Sequence, residues 1–504
     1  MGVAHARYDR VVNDLKAKSI DLTERTIPFY GGALKVLYIR QLVDQKSLSE
    51  FIIKPVIQYG HANKEPLKAQ STMENIIFTG DCHLDMDDAR VEYYLLSGMV
   101  VILFSNDRHY IVANLRSIET RSIDEPVLTY TLHGPRDCFV ENLDANLSLL
   151  RYRLKDGSIR IENLEIGERT KTRIAVAYIK DIANPQSVQE IRKRIASVKT
   201  EEIVDIGELQ SFISNSIYTF FPQMLSVERS DMAVEQLLEG KVVVLVEGSC
   251  LAFATPVALN EFMYSGDDRY DNKFFGLFMR IIRYIALFIS FTASSYYIAV
   301  EAFHNDVMTA SYALALAQMR SRVPFSAFVG ILVLEFLVEM VREAMIRVPK
   351  QIGAAIGIMA TIIIGQAAIS AGFFTPVALI LVAAEFVASF AIPYYTLMNV
   401  FRVLKFLMIV LTGTFGFFGF TLGITLILID LVSINNFGVP YMAPYAPFIR
   451  YDYWRTLMFN RTIAPKRQQY MRTQDDTRTD SNVSGQQESR DTYHGSGGQS
   501  SGGA

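Results

Sequence analysis

The stretch 351–384 contains no Asp, Glu, Lys or Arg in 34 consecutive residues, and this run limits the chain to a few kinds of fold. It lies within a longer segment, 281–450, in which only 16 of 170 residues are charged, whereas about a quarter of the remaining residues are charged. So long an apolar run is typical of segments that cross a lipid bilayer. The sequence therefore excludes a disordered protein, a coiled coil and a single compact soluble domain.

The net charge and the cysteines further limit the class of protein and its compartment. The net charge is −3, which gives no general case for nucleic-acid binding. The three cysteines, Cys82, Cys138 and Cys250, are scattered, which argues against a disulfide framework and favours a reducing compartment. No apolar stretch in residues 1–40 is long enough for a signal peptide, so we expect the polar front part on the cytoplasmic side.

The polar front part predicts two related α/β subdomains. The segment Leu95 to Leu103 aligns with the segment Leu237 to Leu245. Each segment contains the end of a predicted helix, a glycine and an apolar strand. Turn residues and a second short strand follow each copy, which is the pattern of a helix and a β-hairpin. Duplication and convergence on a common unit explain this likeness equally well. Upstream, the apolar spacing in 35–59 predicts two short amphipathic helices.

These patterns predict an α/β plus membrane α-helical protein, in which two cytoplasmic α/β subdomains precede a multi-span helical membrane domain. The expected parts are an N-terminal extension (1–34), subdomain 1 (35–150), subdomain 2 (151–272), the transmembrane domain (273–455) and a disordered polar tail (456–504).

The apolar half contains several candidate spans. The predicted spans are Ile281–Val300, Ile352–Ala371, Thr375–Phe390 and Phe406–Ile429. Lys273, Arg280 and Arg283 at the start of the first span favour a cytoplasmic location for that end. The last span has glycines three or four residues apart, a spacing that permits close contact between helices. The sequence does not decide between four and five spans, and therefore it does not decide on which side of the membrane the tail lies.

An acidic stripe in the segment 326–348 is the main candidate site. Glu335, Glu339 and Glu343 follow one another at intervals of four, so they share one face of a helix, and Arg342 lies beside them. Carboxylates facing lipid would cost roughly 2.5–3.5 kcal/mol each. The stripe must therefore face an aqueous cavity, a partner helix or the membrane surface. A water-filled path for cations and a helix lying on the membrane surface are both compatible with it.

Glu385, isolated in an apolar span, is a second intramembrane candidate, either for conduction or for a hydrogen bond between helices or subunits. Enzyme motifs are weak: Cys250 has no histidine nearby in the sequence, and no loop of the nucleotide-binding Gly-x-x-x-x-Gly-Lys type is present. We therefore expect no catalytic residues, no metal site and no cofactor.

Several motifs occur in an order that resembles the A subunits of bacterial spore germinant receptors, over nearly all of residues 35–460. Gly134-Pro135-Arg136 opens a block similar to the family's Gly-Pro-Arg-Glu-Gly-Phe, and Glu228-Arg229-Ser230-Asp231 is similar to its Glu-Arg-Pro-Asp. Gly438-Val439-Pro440 continues the series beyond the membrane part. Any one block is common, but the ordered series is specific.

The resemblance implies a non-enzymatic subunit of the spore inner membrane. It would act with a permease-like B subunit and a lipoprotein C subunit to sense nutrients and trigger germination. It implies oligomerisation into a ligand-gated cation channel in membrane lipid, which favours the pore interpretation of the acidic stripe. The sequence does not name the nutrient or the oligomer size.

The chain departs from the family pattern where Gly330 replaces an acid and Ser326 replaces a proline, which bears on conduction. Two other classes remain as alternatives. One is a transporter that works by alternating access, and the other is a non-conducting membrane scaffold that recruits partners.

Overall fold

The computed structural model describes residues 22–30, 32–62, 66–116, 134–215, 219–269, 273–349, 363–458 and 467–474, together with residues 12, 13 and 15. Two five-stranded antiparallel sheets form the front part of the chain, and a set of long helices follows.

The first subdomain contains a sheet with the spatial order β1-β2-β4-β5-β3. Its strands are β1 (Leu22–Phe29), β2 (Gly32–Ile39), β3 (Cys82–Asp85), β4 (Val100–Phe104) and β5 (Tyr110–Ala113). Its helices are α1 (Gln45–Leu48), α2 (Lys54–Ala62), α3 (Ala69–Asn75) and α4 (Asp88–Leu96). Asp87 caps α4, because its side chain accepts a hydrogen bond from the backbone N–H of Ala89.

The prediction of two helices in 35–59 was wrong for its first part, which is strand β2. Leu34 and Val36 face one buried cluster, whereas Leu37 and Ile39 face another. A strand that is buried on both faces reads as a continuous apolar run, and periodicity cannot tell such a run from a buried helix.

The second subdomain repeats the strand order of the first, as β6-β7-β9-β10-β8. Its strands are β6 (Ile159–Ile166), β7 (Thr172–Ile179), β8 (Leu225–Val227), β9 (Val242–Val246) and β10 (Ala252–Thr255). Its helices are α5 (Leu143–Arg153), α6 (Pro185–Ser197), α7 (Ile206–Ile213) and α8 (Ser230–Leu238). The two aligned segments of the sequence thus occupy the same place in two sheets, as α4–β4 and α8–β9.

Two predicted domain boundaries differ from the structure. Strand β1 lies within 22–29, so the predicted N-terminal extension 1–34 contains part of the first sheet. Helix α5 lies largely before the predicted boundary at 150, yet Leu143, Leu147 and Leu150 are buried in the core of the second subdomain. The amphipathic pattern of α5 gives no sign of which sheet it covers, because both sheets are apolar.

The helical half begins with α9 (Lys273–Ile298), which continues as a π-helical turn to Phe303. The helices that follow are α10 (Ala310–Arg320), α11 (Ala327–Arg347), α12 (Ala368–Ser370), α13 (Pro376–Ser389), α14 (Tyr395–Phe415), α15 (Phe417–Ser433) and α16 (Arg450–Met458). Two short strands, β11 (Asn435–Asn436) and β12 (Val439–Pro440), lie between α15 and α16.

Among the described residues, two helices are long and apolar enough to cross a membrane, Phe274–Phe303 and Tyr395–Phe415. The predicted span Thr375–Phe390 corresponds to α13, which has only 14 residues. Most of the predicted span Ile352–Ala371 lies outside the described residues; its end, from Ile363, is helical.

The predicted single span Phe406–Ile429 was wrong, because the chain turns back within it. Gly416 has φ 63° and ψ −140°, a conformation that favours glycine, and it separates α14 from α15. The expected close contact between helices is present. A Cβ added to Gly419 would lie 1.9 Å from the carbonyl oxygen of Leu411, and one added to Gly423 would lie 2.4 Å from the sulfur of Met408.

The segment after α15 joins the helices to the second subdomain. The side chain of Asn436 donates hydrogen bonds to the backbone oxygens of Gln223, at 2.6 Å, and Val257, at 2.9 Å. One apolar core continues from the second sheet into the helices, with the rings of Phe221 and Phe291 5.9 Å and 5.0 Å from the ring of Phe401.

Part of the predicted disordered tail is ordered. Helix α16 extends to Met458, and in the segment 467–474 Tyr470 and Met471 are buried against the second subdomain. A backbone hydrogen bond also connects this segment to the second subdomain, because the N–H of Gln474 donates to the oxygen of Ile182 at 3.0 Å. The residues from 475 onward lie outside the described part.

A matched pair of glycine substitutions tests the α14–α15 contact. We expect Gly419→Val to destabilise the protein by about 1–3 kcal/mol, because the new side chain overlaps a backbone oxygen that cannot move freely. Gly330→Ala, where an added Cβ has no neighbour within 4 Å, should be neutral or stabilising. Thermal unfolding of the purified full chain in detergent measures both. Equal melting temperatures for the two variants would contradict the close contact.

Candidate functional site

The acidic stripe of α11 lies against other helices of the same chain. Glu335 is fully buried, and its carboxylate forms an ion pair with the ammonium group of Lys405 on α14. The same ammonium group lies 3.9 Å from the carboxylate of Glu385 on α13. Lys405 thus lies between two buried carboxylates from two different helices.

A serine on α9 completes this cluster. The hydroxyl of Ser294 lies 3.1 Å from Oε1 of Glu335 and 2.8 Å from Oε2 of Glu385, and its backbone N–H donates to Oε1 of Glu385. All four residues are at most 4% exposed. The cluster of Ser294, Glu335, Glu385 and Lys405, called here the buried charge cluster, therefore joins α9, α11, α13 and α14.

A second group lies one turn along α11. Nε of Arg402 donates to Oε2 of Glu339 at 3.0 Å, and Arg342 lies 3.7 Å from the other oxygen of that carboxylate. Arg342 also donates to the hydroxyl of Ser389 at 3.2 Å, and its guanidinium lies 4.7 Å from the centre of the Phe386 ring. This cation–π contact and the hydrogen bond hold Arg342 against α13.

The charges of the two groups balance. Three carboxylates, on Glu335, Glu339 and Glu385, face three basic side chains, on Lys405, Arg402 and Arg342. A buried charge without a partner is strongly destabilising, whereas a paired one is close to neutral. The balance therefore explains how acidic side chains can lie inside an apolar set of helices.

Glu343, the third member of the predicted stripe, has a different environment. Its side chain is 60% exposed and pairs with Arg347 at 2.7 Å. The sequence places all three carboxylates on one helical face, but in the structure Glu335 is buried, Glu339 is partly buried and Glu343 is exposed. Of the environments left open by the sequence, a partner helix is the one that Glu335, Glu339 and Glu385 have in this structure.

Sequence reasoning missed the partners of these acids. Apart from Arg342, it identified none of them, neither the bases Arg402 and Lys405 nor the hydroxyl groups of Ser294 and Ser389. The available signal was charge balance, because the apolar half has few acids and each needs a base within reach. A further buried acid, Glu301, lies in the π-helical turn after α9 and is 3.4 Å from Arg320.

The two residues that depart from the family pattern lie near that acid. Ser326 caps α11, because its hydroxyl accepts a hydrogen bond from the N–H of Val329 at 3.3 Å. Gly330 lines a cavity of about 20 Å³, which Glu301 and Arg320 also line. The space next to Gly330 is thus open to a side chain.

The predicted motif blocks of the soluble part contact one another. The N–H of Phe139, in the block that starts with Gly134-Pro135-Arg136, donates to the backbone oxygen of Glu228 at 2.8 Å. Arg229 is fully buried, and its Nε donates to Asp231 at 2.9 Å. These contacts join two distant parts of the second subdomain.

The third motif block lies at the connection between the helices and the sheet. Gly438 has φ 88°, which places a left-handed turn between β11 and β12, and Pro440 follows in β12. The turn directs Tyr441 into the apolar core, where it is fully buried.

The described residues offer little for catalysis or metal binding. Burial raises the pKa of Cys138 to about 12, and nearby Glu228 adds to this effect, so the thiol is a poor nucleophile at neutral pH. No group of three or more His, Cys, Asp or Glu side chains in the described ranges is placed to hold a metal ion.

Comparisons with known proteins agree on one family. Residues 10–471 match the family model described as Bacillus/Clostridium GerA spore germination protein. The chain is 32% identical to spore germination protein KA of Bacillus subtilis (strain 168) over 415 residues, 82% of this chain and 76% of that protein. It is 29% identical to spore germination protein GerLA of Bacillus cereus over 461 residues, 91% of this chain and 93% of that protein.

One solved structure is also similar, the N-terminal domain of the A subunit of the Bacillus megaterium spore germinant receptor GerK3. The match has a TM-score of 0.37 and 23% identity, and it covers 49% of this chain and 92% of that domain.

The balance of charges predicts an asymmetric effect of substitutions along α11 and α14. Lys405→Met leaves two buried carboxylates without their ammonium partner, so we expect it to lower the free energy of unfolding by about 3–5 kcal/mol. Glu343→Gln, at the exposed end of the same stripe, should change it by no more than about 0.5 kcal/mol. Thermal and denaturant unfolding of the purified full chain compares the two.

The double variant Lys405→Met/Glu335→Met gives the control for a general packing defect. It removes one acid and one base together, so it should be more stable than Lys405→Met alone. A double variant less stable than the single one would contradict the role of Lys405 as a countercharge.

Proposed function

Because the chain belongs to the GerA family of spore germination proteins, we propose that it is the A subunit of a nutrient-sensing germinant receptor that gates a path for cations through the membrane. In this proposal the helical half is a multi-span domain in the inner membrane of the spore, and the two α/β subdomains lie on the cytoplasmic side. A permease-like B subunit and a lipoprotein C subunit complete the receptor, and several copies of this chain surround one axis.

The observation that carries the proposal is the balanced set of ion pairs that joins α9, α11, α13 and α14. A cation path along α11 requires acidic side chains that face water, yet Glu335 and Glu339 face basic side chains in this structure. We therefore assign the described arrangement to a closed state. Opening would separate these carboxylates from Lys405 and Arg402 and turn them toward the path.

The ion pairs make such a change switch-like. Each carboxylate is stable either against its base or in water, and intermediate positions leave a charge that is neither paired nor hydrated. A nutrient signal would need to favour the open arrangement by more than the ion pairs favour the closed one. Because one apolar core continues from the second sheet to α14, a movement of the second subdomain would be transmitted to the helices.

A transporter is the second candidate, and one observation favours it. The chain is broken between α12 and α13, where Gly372 has φ 75° next to the apolar helix that contains Glu385. Broken helices next to a buried acid occur in transporters that work by alternating access. Current steps from single receptors in a planar bilayer would favour the channel, whereas flux that saturates with a coupled substrate would favour the transporter.

Charge-reversal variants test in spores whether the ion pair of Glu339 with Arg402 holds the proposed closed state. Arg402→Glu should weaken the closed state while the acids of the path stay in place, so nutrient-independent germination should rise. Glu339→Arg is added to it as a second change, because alone it would also remove an acid of the path. A loss of about 2 kcal/mol of closed-state preference corresponds to about 30-fold more open receptor. The double variant restores a pair and should return germination toward the unmodified level. Loss of optical density and release of potassium measure the effect, and immunoblots confirm equal receptor levels.

Glu343→Gln is the matched control, because it changes an exposed acid of the same stripe. Its spores should germinate as unmodified spores do. If Arg402→Glu leaves germination and ion release unchanged at normal receptor levels, the Glu339–Arg402 pair does not hold the closed state.

A further inference from the structure

Helix α16 directs polar side chains toward the protein and an aromatic side chain away from it. Asp452, Arg455 and Thr456 are buried, whereas Trp454 is 48% exposed. Arg450, one turn before Trp454 on the same side of the helix, is also exposed. A helix on the water-facing surface of a soluble domain has the opposite arrangement, with its apolar side chains toward the core. The outer side of α16 therefore has the composition of a surface that contacts something other than water.

The buried polar side chains fix α16 on the second subdomain. Both carboxylate oxygens of Glu239 accept from Arg455 at 2.9 Å. The carboxylate of Asp452 accepts from the N–H groups of Gln469 and Tyr470 at 3.1 Å and 3.0 Å. A rotation of the helix that buried its outer side would break these contacts and leave charges without partners, which is strongly destabilising. The outer side of α16 is thus held in its exposed position.

Trp454 is part of a group of aromatic side chains that reaches α9. The ring of Tyr453 lies 5.8 Å from that of Trp454 and 5.5 Å from that of Phe448, which is 66% exposed. It also lies 5.9 Å from the ring of Tyr445, whose hydroxyl donates to that of Tyr284 on α9 at 3.0 Å. The aromatic cluster (Tyr445, Phe448, Tyr453 and Trp454) thus contacts a helix that is long and apolar enough to cross a membrane.

The contact with α9 places the aromatic cluster at the boundary between the charged and the charge-free part of that helix. Arg280 and Arg283 both pair with the carboxylate of Asp268, in the turn before α9, at 3.6 Å and 2.5 Å. Tyr284 follows directly, and residues 284–300 contain no Asp, Glu, Lys or Arg. Trp and Tyr are enriched where membrane helices pass from headgroups into hydrocarbon, since their rings have an apolar body and a polar tip. The aromatic cluster therefore lies at the level expected for the lipid–water boundary.

The charge around α16 favours an anionic partner. Residues 448–472 contain six Lys or Arg and one Asp. Arg455 is paired with Glu239, and the single acid, Asp452, is buried, so it does not offset the exposed Arg450. Two copies of this chain that met through this surface would bring like charges together, whereas anionic headgroups attract them. An anionic lipid bilayer therefore fits this aromatic surface better than a second copy does.

We propose that the outer side of α16 binds the surface of a bilayer that contains anionic phospholipids. The rings of Trp454 and Phe448 lie among the headgroups, and the guanidinium of Arg450 lies next to a phosphate group. The contact removes aromatic surface from water, and through the buried contacts of α16 it holds the second subdomain against the membrane. It rests on the membrane location proposed for the helical half, but it needs no cation path.

The fluorescence of Trp454 tests the contact directly, because the chain contains no other tryptophan. The purified full-length chain is reconstituted in vesicles of phosphatidylcholine and phosphatidylglycerol, which contain no other protein. Phospholipids with bromine atoms either near the headgroup or near the end of the acyl chains quench tryptophan on contact. We expect the shallow bromines to quench Trp454 about twofold more than the deep ones, because the ring lies at the level of the headgroups.

The headgroup preference is measured at a fixed mole fraction of brominated lipid. Brominated phosphatidylglycerol should quench Trp454 about twofold more than brominated phosphatidylcholine, because Arg450 attracts anionic lipid. Arg450→Glu should abolish this difference and leave the depth preference unchanged. Equal quenching by the two headgroups in the unmodified protein would overturn the proposed binding of anionic lipid.

Two double variants move the single tryptophan and serve as controls. Trp454→Phe/Phe288→Trp places it on α9, where Phe288 is exposed, and brominated lipid should quench it there. Trp454→Phe/Phe78→Trp places it at an exposed position of the first subdomain, where no quenching is expected. If the α9 variant is quenched and Trp454 is not, the lipid contact of α16 is wrong while the membrane location stands. If the α9 variant is not quenched either, both are wrong.

The emission wavelength of an unquenched Trp454 shows what surrounds it instead of lipid. Emission at the wavelength typical of tryptophan in water would place the ring in solvent. Emission at a shorter wavelength would show that protein covers the ring, as in a contact between two copies of the chain. Either result overturns the proposal.

Discussion

The ion pairs of Lys405 with Glu335 and Glu385 join α11, α13 and α14 through one buried ammonium group. A buried ion pair is nearly neutral in energy when complete and costly when one partner is missing. Arrangements in which Lys405 does not contact both carboxylates are therefore disfavoured. This requirement fixes the positions of α11, α13 and α14 relative to one another.

The same constraint extends to the soluble part through α14. This helix contains Lys405 and Arg402 on its polar side and Phe401 and Leu397 in the core shared with the second sheet. A movement of the second subdomain that displaces Phe401 must also move Arg402, because the two residues are neighbours on one rigid helix. The core residues and the buried charges on α14 therefore move together.

Local patterns predicted from the sequence were accurate wherever one segment determines its own structure. The strand Val242–Val246, the preceding turn at Gly240 and the helix before it follow from a short run of β-branched residues, a glycine and apolar spacing. Leu37 was assigned to a helix because both faces of its strand are buried, a fact that depends on two other parts of the chain. The turn at Gly416 was missed because glycine is common inside membrane helices, so its presence does not by itself indicate a turn.

The candidate site shows the same division between local and distant information. The spacing of Glu335 and Glu339 on one face is a local property, and it was predicted. Their partners lie more than 60 residues away, and no periodicity connects α11 with α14. Counting acids against bases in the apolar half would have indicated ion pairs, but it would not have shown which acid pairs with which base.

The spacing of the charges fixes the register of α11 against α14. Glu335 and Glu339 are four residues apart, their partners Lys405 and Arg402 are three apart, and the pairing runs in opposite directions along the two helices. A slip of one turn would place Glu339 opposite Lys405 and Glu343 opposite Arg402. Glu335 would then face Met408 and Ile409, which are apolar and buried, and its carboxylate would lack a base. Since an unpaired buried carboxylate costs several kcal/mol, the charge pattern permits the observed register and disfavours its nearest alternative.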